Sequence, residues 1–240
     1  MPENSNFTLS TATFDVAGLR LPVELRRHPR ARRLRLRIDH DRSLIRLTIP
    51  ARSSARHALR WAGEQAAWVE AQLAIAAPAS PLADGATIPF LGVSHRIVAT
   101  GGRRGVSVCE GILGVGGPTE GLSGRLERWL RAEARIRLAA ATTAIAGPAG
   151  ITIAGVSVGD PVSRWGSCSA KGAIRYSWRL VLAPPEALTF VVAHEVAHRL
   201  HMDHSPAFKA AEQRLFGAPV APARALLRRL GPALRAVGRG

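Results

Sequence analysis

Thr189-Phe190-Val191-Val192-Ala193-His194-Glu195-Val196-Ala197-His198 is the stretch on which the reading of this chain turns. Its last five residues have the spacing H-E-x-x-H. In a helix, residues i and i+4 share one face, so His194 and His198 direct their imidazoles at one point. Zinc accepts such nitrogens at about 2.0–2.1 Å. Glu195, beside the first histidine, reaches a water activated by that zinc and serves as general base, then acid. The simpler reading is an amphipathic helix with two exposed histidines. The largely apolar run before His194 argues against it, because histidines on a buried helix need partners.

A catalytic zinc site takes a third protein ligand and keeps one position open. Downstream of the pair the candidates are His201, Asp203, His204 and Glu212. His204 is preferred: it lies ten residues after His194, past the helix, where a turn brings it back to the metal. His201 shares the face only if the helix continues unbroken, and otherwise orients or shields the site. Glu212 is the alternative if a downstream helix supplies the ligand. Upstream, Ser163-Arg164-Trp165-Gly166-Ser167-Cys168-Ser169 reads as an edge strand lining the cleft, able to bind an extended peptide through its backbone. Arg164 suits an oxyanion or a phosphate. Cys168 is a spare or core thiol, since a zinc site makes a nucleophile redundant. Trp165 and Trp178 read as packing residues.

Further out, the chain divides into a β-rich region with one helix, 1–118, and a catalytic region, 119–240. Strands are expected at 13–21, 32–39 and 43–49, with a turn at Asp39-His40-Asp41. A helix capped by Ser53 or Ser54 should follow, from about 54 to 77, with Leu59, Trp61, Ala62, Trp68, Val69 and Leu73 at helical spacing. Short strands are expected at 87–91, 93–99, 105–109 and 111–115. A long helix over 119–146 should turn Leu126, Trp129, Leu130 and Ile136 to the core. Strands at 151–158, 162–168 and 173–181 precede the histidine helix, which starts at Pro184-Pro185-Glu186 and runs to about Leu200. Ser205-Pro206 caps another helix to about Phe216, and 221–237 is basic and helical in pattern.

Composition sets the limits on these readings. The 240 residues carry 33 basic and 17 acidic side chains, a net charge of +16. Lys171 and Lys209 are the only lysines, so arginine supplies almost all of the positive charge. Seven arginines (26, 27, 30, 32, 33, 35 and 37) fall within twelve residues, and Arg33–Ile38 alternates arginine with an apolar residue. Such a strand offers one arginine face, for phosphates or simply for water. Aromatics are sparse there, so a base-stacking platform is not indicated. No apolar run is long enough to span a bilayer. The first residues lack the basic start and apolar stretch of a secretory signal. Two cysteines make no disulfide framework. A cytoplasmic protein without membrane association is expected, its oligomeric state unspecified. The chemistry sits away from the arginine cluster: between 187 and 202 only Glu195 and Arg199 carry a fixed charge.

Taken in order, Arg164-Trp165-Gly166-Ser167-Cys168-Ser169, Tyr176-Ser177-Trp178-Arg179-Leu180, Pro184-Pro185, the H-E-x-x-H stretch, His204-Ser205 and Phe208 resemble the YgjP-like zinc metallopeptidase family. Weaker likeness extends upstream through Phe90-Leu91-Gly92 and Trp68 to Arg26-Arg27. The resemblance implies a zincin-like α+β core related to SprT-like and minigluzincin proteases, with a small antiparallel sheet and the H-E-x-x-H helix. It implies His194, His198 and His204 as zinc ligands and Glu195 as the catalytic glutamate. It also implies kinship with SprT-like proteases, some of which act on DNA-bound proteins. Two departures stand out. His201 occupies a position where many zincins have glycine, and no Pro-Asp-Tyr stretch follows Phe216.

The expected activity is therefore hydrolysis of peptide or protein substrates by a zinc-activated water with Glu195 as base, and with Arg164 or Tyr176 supporting the oxyanion. Two other functions compete. One is a metal-dependent nucleotide phosphohydrolase whose arginines clamp phosphates. The other is a nucleic-acid-associated protein with structural zinc, which would require a fourth protein ligand such as Glu212.

Overall fold

The computed structural model describes residues 7–16, 19–39, 44–69, 80–161 and 164–239, with side chains described from residue 22 onward. The chain forms two compact units, Met1–Ala77 and Pro78–Gly240. The strands between 87 and 117, grouped by sequence with the N-terminal region, thus fold with the helices that follow. The reason is burial: Ile88, Phe90, Ile97, Leu113 and Val115 share one apolar core with the long helix and the histidine helix.

The first unit is a four-stranded sheet in the order β1-β2-β4-β3, formed by β1 (Phe7–Val16), β2 (Leu19–His28), β3 (Arg35–Asp39) and β4 (Leu44–Pro50). The single strand expected over 13–21 is instead the meeting of β1 and β2, an antiparallel pair that closes at Val16 opposite Leu19. The turn expected at Asp39-His40-Asp41 falls largely outside the described residues. Alternation works as the sequence suggests. Val23, Leu25, Ile45, Leu47 and Ile49 are buried against Ala58, Ala62 and Val69. Helix α1 (Ala55–Glu64) starts at Ser54, whose hydroxyl accepts a hydrogen bond from the His57 N–H. One helical turn continues beyond it to Val69, and Leu73 lies outside the described residues.

In the second unit, β5 (Thr87–Phe90), β6 (Val93–Cys109) and β7 (Ile112–Gly117) form one sheet. The first arm of β6 runs parallel to β7. Its second arm turns back, so that both Ile97 and Val108 lie opposite Leu113. Helix α2 (Leu122–Ala146) buries Leu122, Leu126, Leu130, Ala134, Leu138, Thr142 and Ala146, every fourth residue. Ile136, expected in the core, is 64% exposed. It lies two positions from both Ala134 and Leu138, about 200° around the helix, and so faces away from the stripe.

The second sheet, β8 (Gly155–Gly159), β9 (Gly166–Cys168) and β10 (Ala173–Ser177), has the order β8-β10-β9. It is mixed rather than antiparallel. The hairpin β9–β10 is antiparallel, but β10 lies parallel to β8 because it returns into the centre of the sheet. The strand expected to reach 181 ends at Ser177, and Trp178–Leu182 form a short 3₁₀ helix buried on all sides. Apart from Arg179 the run is apolar, and such a run has no periodicity to distinguish the two. Three helices complete the unit: α3 (Pro185–Ala197), α4 (Pro206–Phe216) and α5 (Val220–Ala236). Among the described residues, no helix is long and apolar enough to cross a membrane.

Candidate metal centre

Helix α3 begins with Pro185 in its first turn and buries nine of its thirteen residues, including Phe190–Ala193. His194 and Glu195 occupy its last turn, and His198 is its C-cap. The helix ends there rather than near Leu200, because the next amides tighten onto Val196 and Ala197 in turn geometry. His201 therefore leaves the helical face. Its backbone carbonyl, not its ring, serves the site by accepting the Nδ1–H of His198 at 3.2 Å.

The chain then reverses. The Asp203 carboxylate accepts from the Ser205 N–H, and the Ser205 hydroxyl caps α4 by accepting from Phe208 N–H. This turn brings His204 back over the end of α3. The ligand-type atoms of His194, His198 and His204 lie within 4.8 Å of one another. His204 Nε2 stands 3.4 Å from His194 Nε2. Beneath them the Phe208 ring packs at 4.6–5.0 Å from all three imidazoles, which limits their rotation.

Hydrogen bonds set the direction of two rings. His194 Nδ1 donates to Glu212 Oε1 at 2.7 Å, and His198 Nδ1 donates to the His201 carbonyl. Each ring thereby keeps its Nε2 lone pair for the common point. Burial holds both pKa values below the ordinary histidine range, so the neutral, donor-ready imidazole is favoured. The fit to a metal ion rests on this donor set and on one further atom. Glu195 is 4% exposed, and its Oε2 is buried with no hydrogen-bond partner among the described residues.

Burial pushes the Glu195 carboxyl up to about 7, and the positive charge of Arg164 opposes the rise. Gly166 makes this packing feasible, because a Cβ there would lie 2.5 Å from Glu195 Oε1. Arg164 is exposed, close enough to act on Glu195 through its charge. Tyr176, expected to support the oxyanion, is a core residue. It is fully buried, its hydroxyl is bonded to Thr142 Oγ1 at 3.0 Å, and burial raises its pKa. Burial also raises the pKa of Cys168, the opposite of what an activated thiolate needs. Trp165 packs under Arg235 and Trp178 lies between Arg131 and Arg179, both as packing residues.

In the sequence Glu212 reads only as a possible ligand. It is 1% exposed, and its second oxygen accepts from Arg224 at 2.8 Å. A signal for this supporting part is present: Phe208, Ala211 and Glu212 share the buried face of α4, so a carboxylate stands where an apolar residue belongs. Arg224 carries no such signal.

A family model described as YgjP-like, metallopeptidase domain, matches residues 32–229, most of the chain. No curated protein and no solved structure gives a significant match.

Proposed function

Because the chain belongs to the YgjP-like metallopeptidase-domain family, we propose that it is a zinc-dependent peptidase in which His194, His198 and His204 hold the ion and Glu195 moves the proton. The observation that carries this reading is the meeting of three histidines within 4.8 Å beside a buried carboxylate. Imidazole donors without thiolates suit zinc, and two nitrogens of a tetrahedral site at about 2.0–2.1 Å from the ion stand about 3.4 Å apart. His204 Nε2 and His194 Nε2 have that separation. Glu212 faces Nδ1 of His194 and is spoken for by Arg224, so it supports a ligand and does not act as one.

Zinc in this site supplies Lewis-acid polarisation of the scissile carbonyl and a lowered pKa for the attacking water. Glu195 accepts the water proton as the new C–O bond forms. It returns that proton to the leaving nitrogen as the C–N bond breaks. Arg164 places positive charge beside the carbonyl oxygen that turns anionic. The substrate backbone has a track to follow. Edge strand β9 bonds to β10 through Trp165 and Ser169, so Gly166 and Cys168 turn their backbone groups to the free edge.

The test is hydrolysis of an unfolded protein substrate by zinc-loaded enzyme. Glu195→Gln should lose at least about 100-fold in kcat with zinc retained. Unchanged turnover in that variant would refute the mechanism.

The first unit supports an added role. On its sheet, Arg26, Thr48 and Arg35 form one cross-strand row, and Glu24, Arg46 and Arg37 the next. Arg46 is paired with Glu24 and Asp39. Arg26, Arg35 and Arg37 are exposed, as are Arg30, Arg32 and Arg33 in the adjoining turn. This face suits a polyanion such as nucleic acid, which would bring the peptidase to proteins bound there.

A further inference from the structure

We propose that Arg224, on α5, is a positioning residue: through Glu212 it fixes His194 and sets how tightly the histidine cluster holds its metal. The inference rests on reading that cluster as a metal site. Glu212 bridges two elements. Its Oε1 accepts from His194 Nδ1 at 2.7 Å and its Oε2 accepts from Arg224 at 2.8 Å. Both oxygens are thus committed, one to α3 and one to α5, which fixes the carboxylate.

The burial of the two partners is unequal. The Glu212 side chain is 1% exposed, while that of Arg224 is 54% exposed. A carboxylate so deeply buried is costly unless a charge answers it. His194 gives a hydrogen bond, and the cluster chemistry requires that ring to stay neutral. Arg224 supplies the answering charge. Its guanidinium also lies over the Phe190 ring at 5.6 Å, and Phe190 in turn packs near His194 at 6.3 Å. Helix α5 therefore takes part in a site otherwise built from α3, α4 and the turn between them. A group that orients a ligating histidine typically changes metal affinity by 10–100-fold when removed. A residue that acts on that group should show an effect of the same kind, transmitted and not direct.

The experiment is zinc affinity, read by competition with a chromophoric chelator, for the full chain and for Arg224→Gln, Arg224→Lys, Glu212→Gln and the double variant Glu212→Gln/Arg224→Gln. Thermal unfolding of each metal-free variant runs beside it. Arg224→Gln should weaken zinc about tenfold or more while the metal-free protein unfolds within a few degrees of the parent. Arg224→Lys, which keeps the charge, should recover most of the loss. In the Glu212→Gln background, Arg224→Gln should add nothing. The proposal is overturned if Arg224→Gln binds zinc as the parent does, or if it costs as much with Glu212 replaced as with it present. Should Glu212→Gln fail to fold, the comparison of parent, Arg224→Gln and Arg224→Lys decides alone. Absence of zinc binding by the parent chain would overturn the metal reading itself, a result distinct from either.

Discussion

At the scale of single residues, Glu195 is held in a state the free side chain would not choose. Burial favours its neutral acid and lifts it from an ordinary value of 4.5 to about 7. The folded chain therefore binds a proton that the unfolded chain releases in this window. The stabilisation is complete below about pH 4.5 and is lost as pH rises through about 7. The metal-free Glu195→Gln protein should gain stability over the parent as pH rises from 5 to 8, by an amount on the order of 3 kcal/mol. Urea unfolding with a chelator present measures this, and a gap independent of pH would contradict it. Tyr176 gives the opposite kind of prediction. Tyr176→Phe removes a buried hydrogen bond to Thr142 and should cost about 1 kcal/mol, yet leave kcat within a few-fold; a loss in kcat as large as that of Glu195→Gln would restore it to the site. The residues readable in the sequence are those with fixed local spacing: His194, Glu195 and His198 on one helical turn, and His204 just beyond. The residues that tune them are not. Gly166 is visible only when β9 passes Glu195, and Arg224 only when α5 packs against α4.

Elements show the same division between local pattern and tertiary context. The caps of α1 and α4 are readable because Ser54 and Ser205 act within three residues of themselves. Helix α2 is readable in extent and in most of its face, since Leu126 and Leu130 are buried and Trp129 packs against the core, but not at Ile136. Its stripe runs in steps of four, so Leu130 is fully buried while Ile136 is exposed. Leu130→Ala should cost about 2–5 kcal/mol and Ile136→Lys no more than about 0.5 kcal/mol, both read from equilibrium unfolding. A large cost at Ile136 would mean that α2 buries another face. The end of β10 is illegible in the sequence for a physical reason. Leu180-Val181-Leu182 is buried on all sides, and such a run carries no period to separate strand from 3₁₀ helix. Parallel pairing between β8 and β10 is likewise invisible locally, because it depends on where the β9 hairpin returns the chain.

For the whole molecule, the arginine-rich strands and the histidine cluster belong to different units. The exposed arginines of the first unit form a face, and the histidine cluster lies in the second unit at the end of α3. If that face holds nucleic acid, affinity for duplex DNA should fall steeply with salt. Arg35→Glu/Arg37→Glu should reduce the slope of log K against log salt by about 0.9 for each phosphate that is no longer neutralised, without altering cleavage of a free peptide. Binding that ignores both salt and these substitutions would leave the arginines as solvated surface. The proposed chemistry depends on the metal. X-ray absorption at the zinc edge of the purified, zinc-reconstituted chain tests it most directly. The expected spectrum shows one zinc with imidazole nitrogens at about 2.0–2.1 Å and no sulfur, and loses one imidazole in His204→Ala. A shell containing sulfur at about 2.3 Å, or one unchanged by His204→Ala, would contradict it.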